Sequence, residues 1–179
     1  MRHLSSFIFH RIWGWKLVGN FPDVSKCVVI VAPHTSWVDF ILGLLVRSIV
    51  GEEVNFIGKH TLFKPPFGLI FRWLGGTPID RSKNHDTVAL TAEIFKKREV
   101  FRLALSPEGT RKKVEKWKTG FYFIAKSAQV PIVMVALDYG KKEVKISDPV
   151  FPTDHKEEDF NRYMKFFEGV KGKIPEYGF

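Results

Sequence analysis

Two unbroken apolar runs, Cys27-Val28-Val29-Ile30-Val31-Ala32 and Val130-Pro131-Ile132-Val133-Met134-Val135-Ala136-Leu137, constrain what this chain can fold into more than any other feature. A strand wet on one face alternates apolar with polar residues. One that is apolar throughout and rich in β-branched residues needs cover on both faces. The segments between supply that cover, because residues 37–50, 82–98, 119–129 and 154–171 place apolar side chains at helical spacing. Shorter strand patterns lie at 54–57 and 100–105, and a more polar one at 143–150 is expected at a sheet edge. Strands and helices alternate, which predicts one α/β domain with a central, largely parallel or mixed sheet flanked by helices. The length of 179 residues and a hydrophobic content of 45% suit a single core of that kind.

In such sheets ligands collect at the turns that follow strand ends, and three turns here carry polar, chemically able residues. The first is Pro33-His34-Thr35-Ser36-Trp37-Val38-Asp39, directly after the first apolar run. Pro33 stops the strand, Ser36 can accept from a free N–H at the start of the next helix, and Asp39 falls in that helix's first turn. The carboxylate can then hold one ring nitrogen of His34 and leave the other to take a proton. A His and an Asp so close in sequence form a capping or salt-bridging pair far more often than a catalytic dyad, so the motif gains weight only with the other two turns. These are Gly76-Thr77-Pro78-Ile79-Asp80-Arg81 and Ser106-Pro107-Glu108-Gly109-Thr110-Arg111. The second offers an arginine for bidentate anion capture, and the third offers backbone N–H groups, a glycine and a guanidinium. Lys59, just after the 54–57 strand, is a further candidate anion contact. No G-x-S-x-G elbow occurs, so the hydroxyl to be activated is expected to belong to a substrate.

The charge balance points to an anionic partner. With 28 Lys and Arg against 19 Asp and Glu the formal charge is +9, and aromatic residues make up 15% of the chain. Aromatic rings beside basic residues suit a lipid surface, whereas a nucleic-acid platform would place them on alternate strand positions, and no such run is present. Residues 1–20 read as a short interfacial helix preceding a 21–179 domain, although a helix packed on the sheet would show the same apolar face. No stretch is long and apolar enough for a spanning helix. The single cysteine and the scattered histidines give neither a disulfide framework nor a metal-ligand spacing.

Across nearly its whole length, and through four ordered blocks, the chain resembles the glycerolipid acyltransferases of the lysophosphatidic acid acyltransferase type. His34-Thr35-Ser36-Trp37-Val38-Asp39 resembles the family's H-x-x-x-x-D block, residues 76–81 the second, residues 106–111 the F-P-E-G-T-R block, and Val130-Pro131-Ile132 the fourth. The resemblance implies His34 as general base with Asp39 orienting it, Arg81 at the acceptor phosphate, and Glu108, Gly109 and Arg111 in the acceptor and catalytic site; Lys59 and Thr110 are expected as further substrate contacts from their places after strand ends. It also implies an acyl-CoA or acyl carrier protein thioester as co-substrate, no cofactor or metal, and peripheral attachment to the cytoplasmic side of a membrane. The acceptor expected first is 1-acylglycerol-3-phosphate, with a lyso-aminolipid as the alternative. Pro33, Ser106, Lys112 and Met134 depart from the usual pattern, where asparagine, phenylalanine, serine and a second proline are common. Two readings from other classes stand beside this one. In a thioesterase His34 would activate water, and in a non-catalytic basic module Lys112, Lys113, Lys116 and Lys118 would matter and His34 would not.

Overall fold

The computed structural model describes residues 2–79 and 86–178. Among them the strands are β1 (Lys16–Val18), β2 (Lys26–Ala32), β3 (Val54–Lys59), β4 (Gly76–Ile79), β5 (Phe101–Leu105), β6 (Ile132–Asp138) and β7 (Glu143–Ile146), and they form one sheet in the order β1-β7-β6-β2-β5-β3-β4. Every pair is parallel except β6 with β7, so the sheet is mixed and largely parallel. The two apolar runs lie side by side at its centre, Val28 opposite Ile132 and Ile30 opposite Met134.

Period-two alternation along β2 splits its side chains between two cores. Val28, Ile30 and Ala32 pack with Phe101, Leu103 and residues of α4 (Asp86–Lys97), α5 (Gly120–Ala128) and α6 (Lys156–Phe166), among them the buried Phe95, Phe121 and Tyr163. Cys27 and Val29 face the other way, with Val133, Val135 and Leu137, against Leu42 and Val46 of α2 (Val38–Val50). Helices thus cover both faces, as a fully apolar central strand requires. Burial there pushes the Cys27 thiol up to about 12, which keeps it protonated and inert.

The sequence expectation fails at both margins of the sheet. β7 is not an edge, because β1 pairs with it in parallel through Leu17 and Val144 and takes the outermost place. Residues 1–20 are not one helix: α1 covers only Arg2–Phe7, a π-helical turn follows at Ile8–Ile12, and the chain then enters β1. Phe9 and Trp15 are buried in the second core, so that part of the segment is packed, while Leu4, Phe7 and Ile12 remain exposed. At the other margin Gly76–Ile79, read as a turn, is strand β4 beside β3. Its first residue has no room for a side chain, since a Cβ at Gly76 would lie 2.6 Å from the Phe71 carbonyl oxygen. A sequence so short and glycine-led carries no period to read.

Candidate active site

β2 ends at Ala32 and α2 begins at Val38, and the intervening turn is tied down by carboxylates from both of its sides. Asp39 reaches back from the first turn of α2, where its Oδ2 accepts the N–H groups of Thr35 and Ser36, each at 2.8 Å. The same oxygen lies 3.1 Å from His34 Nδ1. Negative charge is also favoured at this end of a helix. Ser36 Oγ accepts from Val38 N–H at 3.3 Å and is buried, which occupies it structurally.

Glu108 holds the turn from the opposite side. Its Oε2 accepts the His34 N–H at 2.7 Å and the Ser106 hydroxyl at 3.1 Å. Ser106, where phenylalanine is usual, thus contributes a hydrogen bond to the carboxylate two residues on. Both of these bonds anchor the turn, so Glu108 fixes the height of the imidazole through its main chain.

Tyr139, which sequence reasoning missed, completes the arrangement. It follows the last residue of β6 and donates its hydroxyl to Asp39 Oδ1 at 2.6 Å. Its ring meets Trp15 edge-on at 4.8 Å, so the packed N-terminal segment buttresses the residue that holds the aspartate. Only its position just past a strand end on the same sheet edge could have drawn attention to it.

The electrostatics of the two carboxyls diverge. Burial alone would raise the Asp39 carboxyl, but hydrogen bonds from His34, Tyr139 and the Ser36 N–H outweigh it and hold it below the usual range. Asp39 is therefore ionised and fixes His34 with Nδ1 protonated and Nε2 free as a base. Burial dominates at Glu108 and raises it, against the weaker pull of the His34 N–H and Ser106. Burial, then the Asp39 contact, also pushes the Tyr139 hydroxyl up, so it stays a donor.

A cavity of about 380 Å³ opens where Thr35, Ser36 and Trp37 of the first turn face Thr110, Arg111 and Lys112 of the third. The structure therefore brings together His34, Asp39, Glu108, Gly109, Thr110 and Arg111. Gly109 adopts φ +66, and its N–H is taken by the Ser106 carbonyl at 3.1 Å. Lys59 ends β3 on the same sheet edge, and its side chain is outside the described residues, as are Asp80 and Arg81.

A family model described as Acyltransferase matches residues 18–138. The chain belongs to this acyltransferase family. Among its relatives, the 1-acyl-sn-glycerol-3-phosphate acyltransferase of Escherichia coli (strain K12) is 29% identical over 161 residues, 82% of this chain and 64% of that one. The enzyme of the same name from Salmonella typhimurium is 29% identical over 126 residues, 66% of this chain and 50% of its own. The human alpha form is 31% identical over 135 residues, 69% and 46% of the two chains. This chain thus spans about half to two thirds of these relatives. The crystal structure of the 1-acyl-sn-glycerophosphate acyltransferase from Thermotoga maritima superposes with a TM-score of 0.64 at 22% identity, covering 93% of this chain and 75% of that one, which establishes a shared fold. The matched region contains the His34, Asp39 and Glu108 constellation and ends one residue before Tyr139.

Proposed function

We propose that the protein transfers a fatty acyl group from an acyl thioester to the hydroxyl of a lysophospholipid, 1-acylglycerol-3-phosphate being the acceptor the site suits best. The observation that carries this reading is the His34–Asp39 pair, 3.1 Å apart on a turn whose own serine is committed to the backbone. His34 has an oriented base nitrogen and a side chain 31% exposed, and the hydroxyl it serves is the substrate's.

The chemistry runs in two stages. As His34 Nε2 takes the proton of the acceptor hydroxyl, its oxygen bonds to the thioester carbonyl carbon and the carbonyl π pair moves to oxygen. Collapse of the tetrahedral species breaks the carbon–sulfur bond, and the departing sulfur takes the proton back from the imidazolium. Asp39 stays ionised throughout and favours the imidazolium. Glu108 is a positioning residue for the turn. Arg111 and Lys112 line the cavity and supply positive charge for the acceptor phosphate, with Arg81, Lys59, Gly109 and Thr110 as the further contacts expected from sequence.

The donor is acyl-CoA or acyl carrier protein, and no cofactor takes part. Both donors are highly polar and do not cross a bilayer, which favours the cytoplasmic side. Among the described residues no helix is long and apolar enough to cross a membrane, so we place the protein at the surface. The exposed apolar side chains of α1 and of α3 (Gly68–Trp73) support that placement, Leu4 and Phe7 on the first and Leu69 and Trp73 on the second.

The test is to incubate the purified protein with an acyl thioester and 1-acylglycerol-3-phosphate and to analyse the lipids by mass. A diacyl product that depends on both substrates and on His34 is expected. Release of free fatty acid at the same rate without acceptor would overturn the reading in favour of a thioesterase.

A further inference from the structure

The wall of the cavity facing Trp37 and the 110–112 turn comes from residues far outside the family match: Ile174 and Tyr177, in the segment that follows α6. We propose that this strap, residues 171–177, determines which head group the acceptor carries, admitting a phosphate monoester and resisting a phosphate that bears a further substituent. The inference rests on the acyl-transfer reading above, deepening it from a reaction to a selectivity.

The strap is held on the catalytic turn. Ile174 donates its N–H to Thr35 Oγ1 at 3.2 Å, and Thr35 is the residue next to the catalytic histidine. Two residues earlier Gly172 lies so close that a Cβ there would come within 2.8 Å of Thr35 Cγ2 and 2.9 Å of its Oγ1. Neither atom belongs to a long flexible side chain that could swing away, because Thr35 is buried. At its start the strap accepts the Tyr139 N–H on the Lys171 carbonyl at 2.8 Å, which joins it to the residue that holds Asp39. A 3₁₀ turn at Pro175–Tyr177 then brings the Tyr177 ring to the cavity.

Without this segment the space between the first and third turns would be open on the side away from the cations. With it, the site has Arg111 and Lys112 on one wall and Ile174 and Tyr177 on the other. The two walls demand different things of one ligand. The cations favour the doubly charged phosphate of a monoester, while Ile174 and Tyr177 border the space into which a larger head group would extend. A substituent on phosphorus must push against Ile174 and Tyr177.

The experiment compares kcat/KM for 1-acylglycerol-3-phosphate and 1-acylglycerophosphoglycerol in mixed detergent micelles with one acyl thioester, for the unaltered protein, Tyr177→Ala and Ile174→Ala. The unaltered protein is expected to favour the monoester, and each variant to lower that preference about 5- to 100-fold, the range that one pocket contact decides. Gly172→Ala leaves Ile174 and Tyr177 unaltered but sets its Cβ against the Thr35 side chain, so the strap is displaced from the catalytic turn and the preference should fall in the same direction. A preference unchanged in all three variants, or one for the larger head group in the unaltered protein, overturns the proposal. Should the unaltered protein transfer to neither acceptor, the acyl-transfer reading fails on its own, and calorimetric titration with glycerol 3-phosphate and glycerophosphoglycerol decides the strap. Preference for the monoester that Tyr177→Ala relaxes upholds it, and equal or absent binding overturns it.

Discussion

The Tyr139 hydroxyl and Asp39 Oδ1 meet at 2.6 Å although the two residues are 100 apart in the chain. Tyr139→Phe removes that donor and nothing else in the ring's packing on Trp15. A hydrogen bond to a charged, buried group contributes about 1.5–3 kcal/mol, so the variant should lose stability by that order at neutral pH. It should also lower kcat by about tenfold, equivalent to about 1.4 kcal/mol, with KM little altered, because only the orientation of the dyad changes. The sign with pH is definite. A carboxyl held below its ordinary 3.8 stabilises the fold above that value and loses the contribution as pH falls through the folded one. The difference in stability between the two proteins should therefore narrow below about pH 4. A gap that stays constant from pH 7 to pH 3 would show that the Tyr139 hydroxyl contributes independently of the charge on Asp39.

His34→Ala should abolish turnover, a loss of about 10²- to 10⁴-fold for a general base, while the melting temperature stays close to that of the unaltered protein because the side chain is partly exposed. Asp39→Asn behaves differently. Its single carbonyl oxygen can keep the Thr35 and Ser36 N–H bonds and its amide can turn to Tyr139, so the fold survives. The imidazolium then loses its counter-charge, and the rate should drop by orders of magnitude at unchanged acceptor affinity. Kinetics beside melting curves on the two variants separate loss of chemistry from loss of structure.

Glu108 gives the opposite pH signature to Asp39. Its carboxyl is raised above the ordinary 4.5, so the fold favours the neutral form, and stability declines as pH rises from about 4.5 through the raised value and is level beyond it. Glu108→Gln can still accept the His34 N–H but never ionises. Whatever the variant loses at pH 4, the gap to the unaltered protein should shrink as pH climbs to 8. Denaturant unfolding at pH 4, 6 and 8 measures it; a level gap would mean that Glu108 ionises at no cost in the fold, and a widening one that the fold favours its carboxylate.

The central sheet and the His34–Asp39 pair were legible in sequence because each rests on local pattern: an apolar run that needs two covers, and a spacing that puts a carboxylate in the first turn of the helix that follows a histidine-bearing turn. Glu108 was legible as a site residue, yet its role was not, since a hydrogen bond to the His34 backbone leaves no trace in residue type. Tyr139, Ile174 and Tyr177 were invisible for another reason. They reach the site through tertiary contacts with residues 100 or more positions away, and nothing in a lone tyrosine after a strand encodes its partner. The N-terminal segment misled because an apolar helix face looks the same whether it meets lipid or core. Only packing distinguishes Phe9 and Trp15, which are buried, from Leu4 and Phe7, which are not.

For the membrane contact proposed above, that distinction favours the helices around α2 over the packed part of the N-terminal segment. α1 is joined to α2 by the Ser5–Ser48 hydroxyl bond, and α3 is joined to it by Arg47, which donates to the Leu74 carbonyl at 2.5 Å, and by Phe40 against Phe71. Residues 2–20 and 54–79 contain no Asp or Glu, and Asp39 of α2 is buried. The exposed Arg2, Arg11, Lys64 and Arg72 are thus unopposed within these segments, and each attracts anionic lipid by about 1 kcal/mol near a surface. Leu69 and Trp73 project furthest, at 80% and 74% exposure. Changing both to Ser should release the protein from anionic vesicles at moderate salt while leaving its melting temperature and its activity on detergent-dispersed acceptor nearly unaltered. Trp15→Ser should do the reverse, costing about 3–5 kcal/mol of stability as a large buried ring is lost, with vesicle binding retained by whatever remains folded. Co-sedimentation at rising salt reads the first effect and thermal melting the second. If the Leu69 and Trp73 double variant stays bound to the vesicles, the surface that meets lipid is not on these helices.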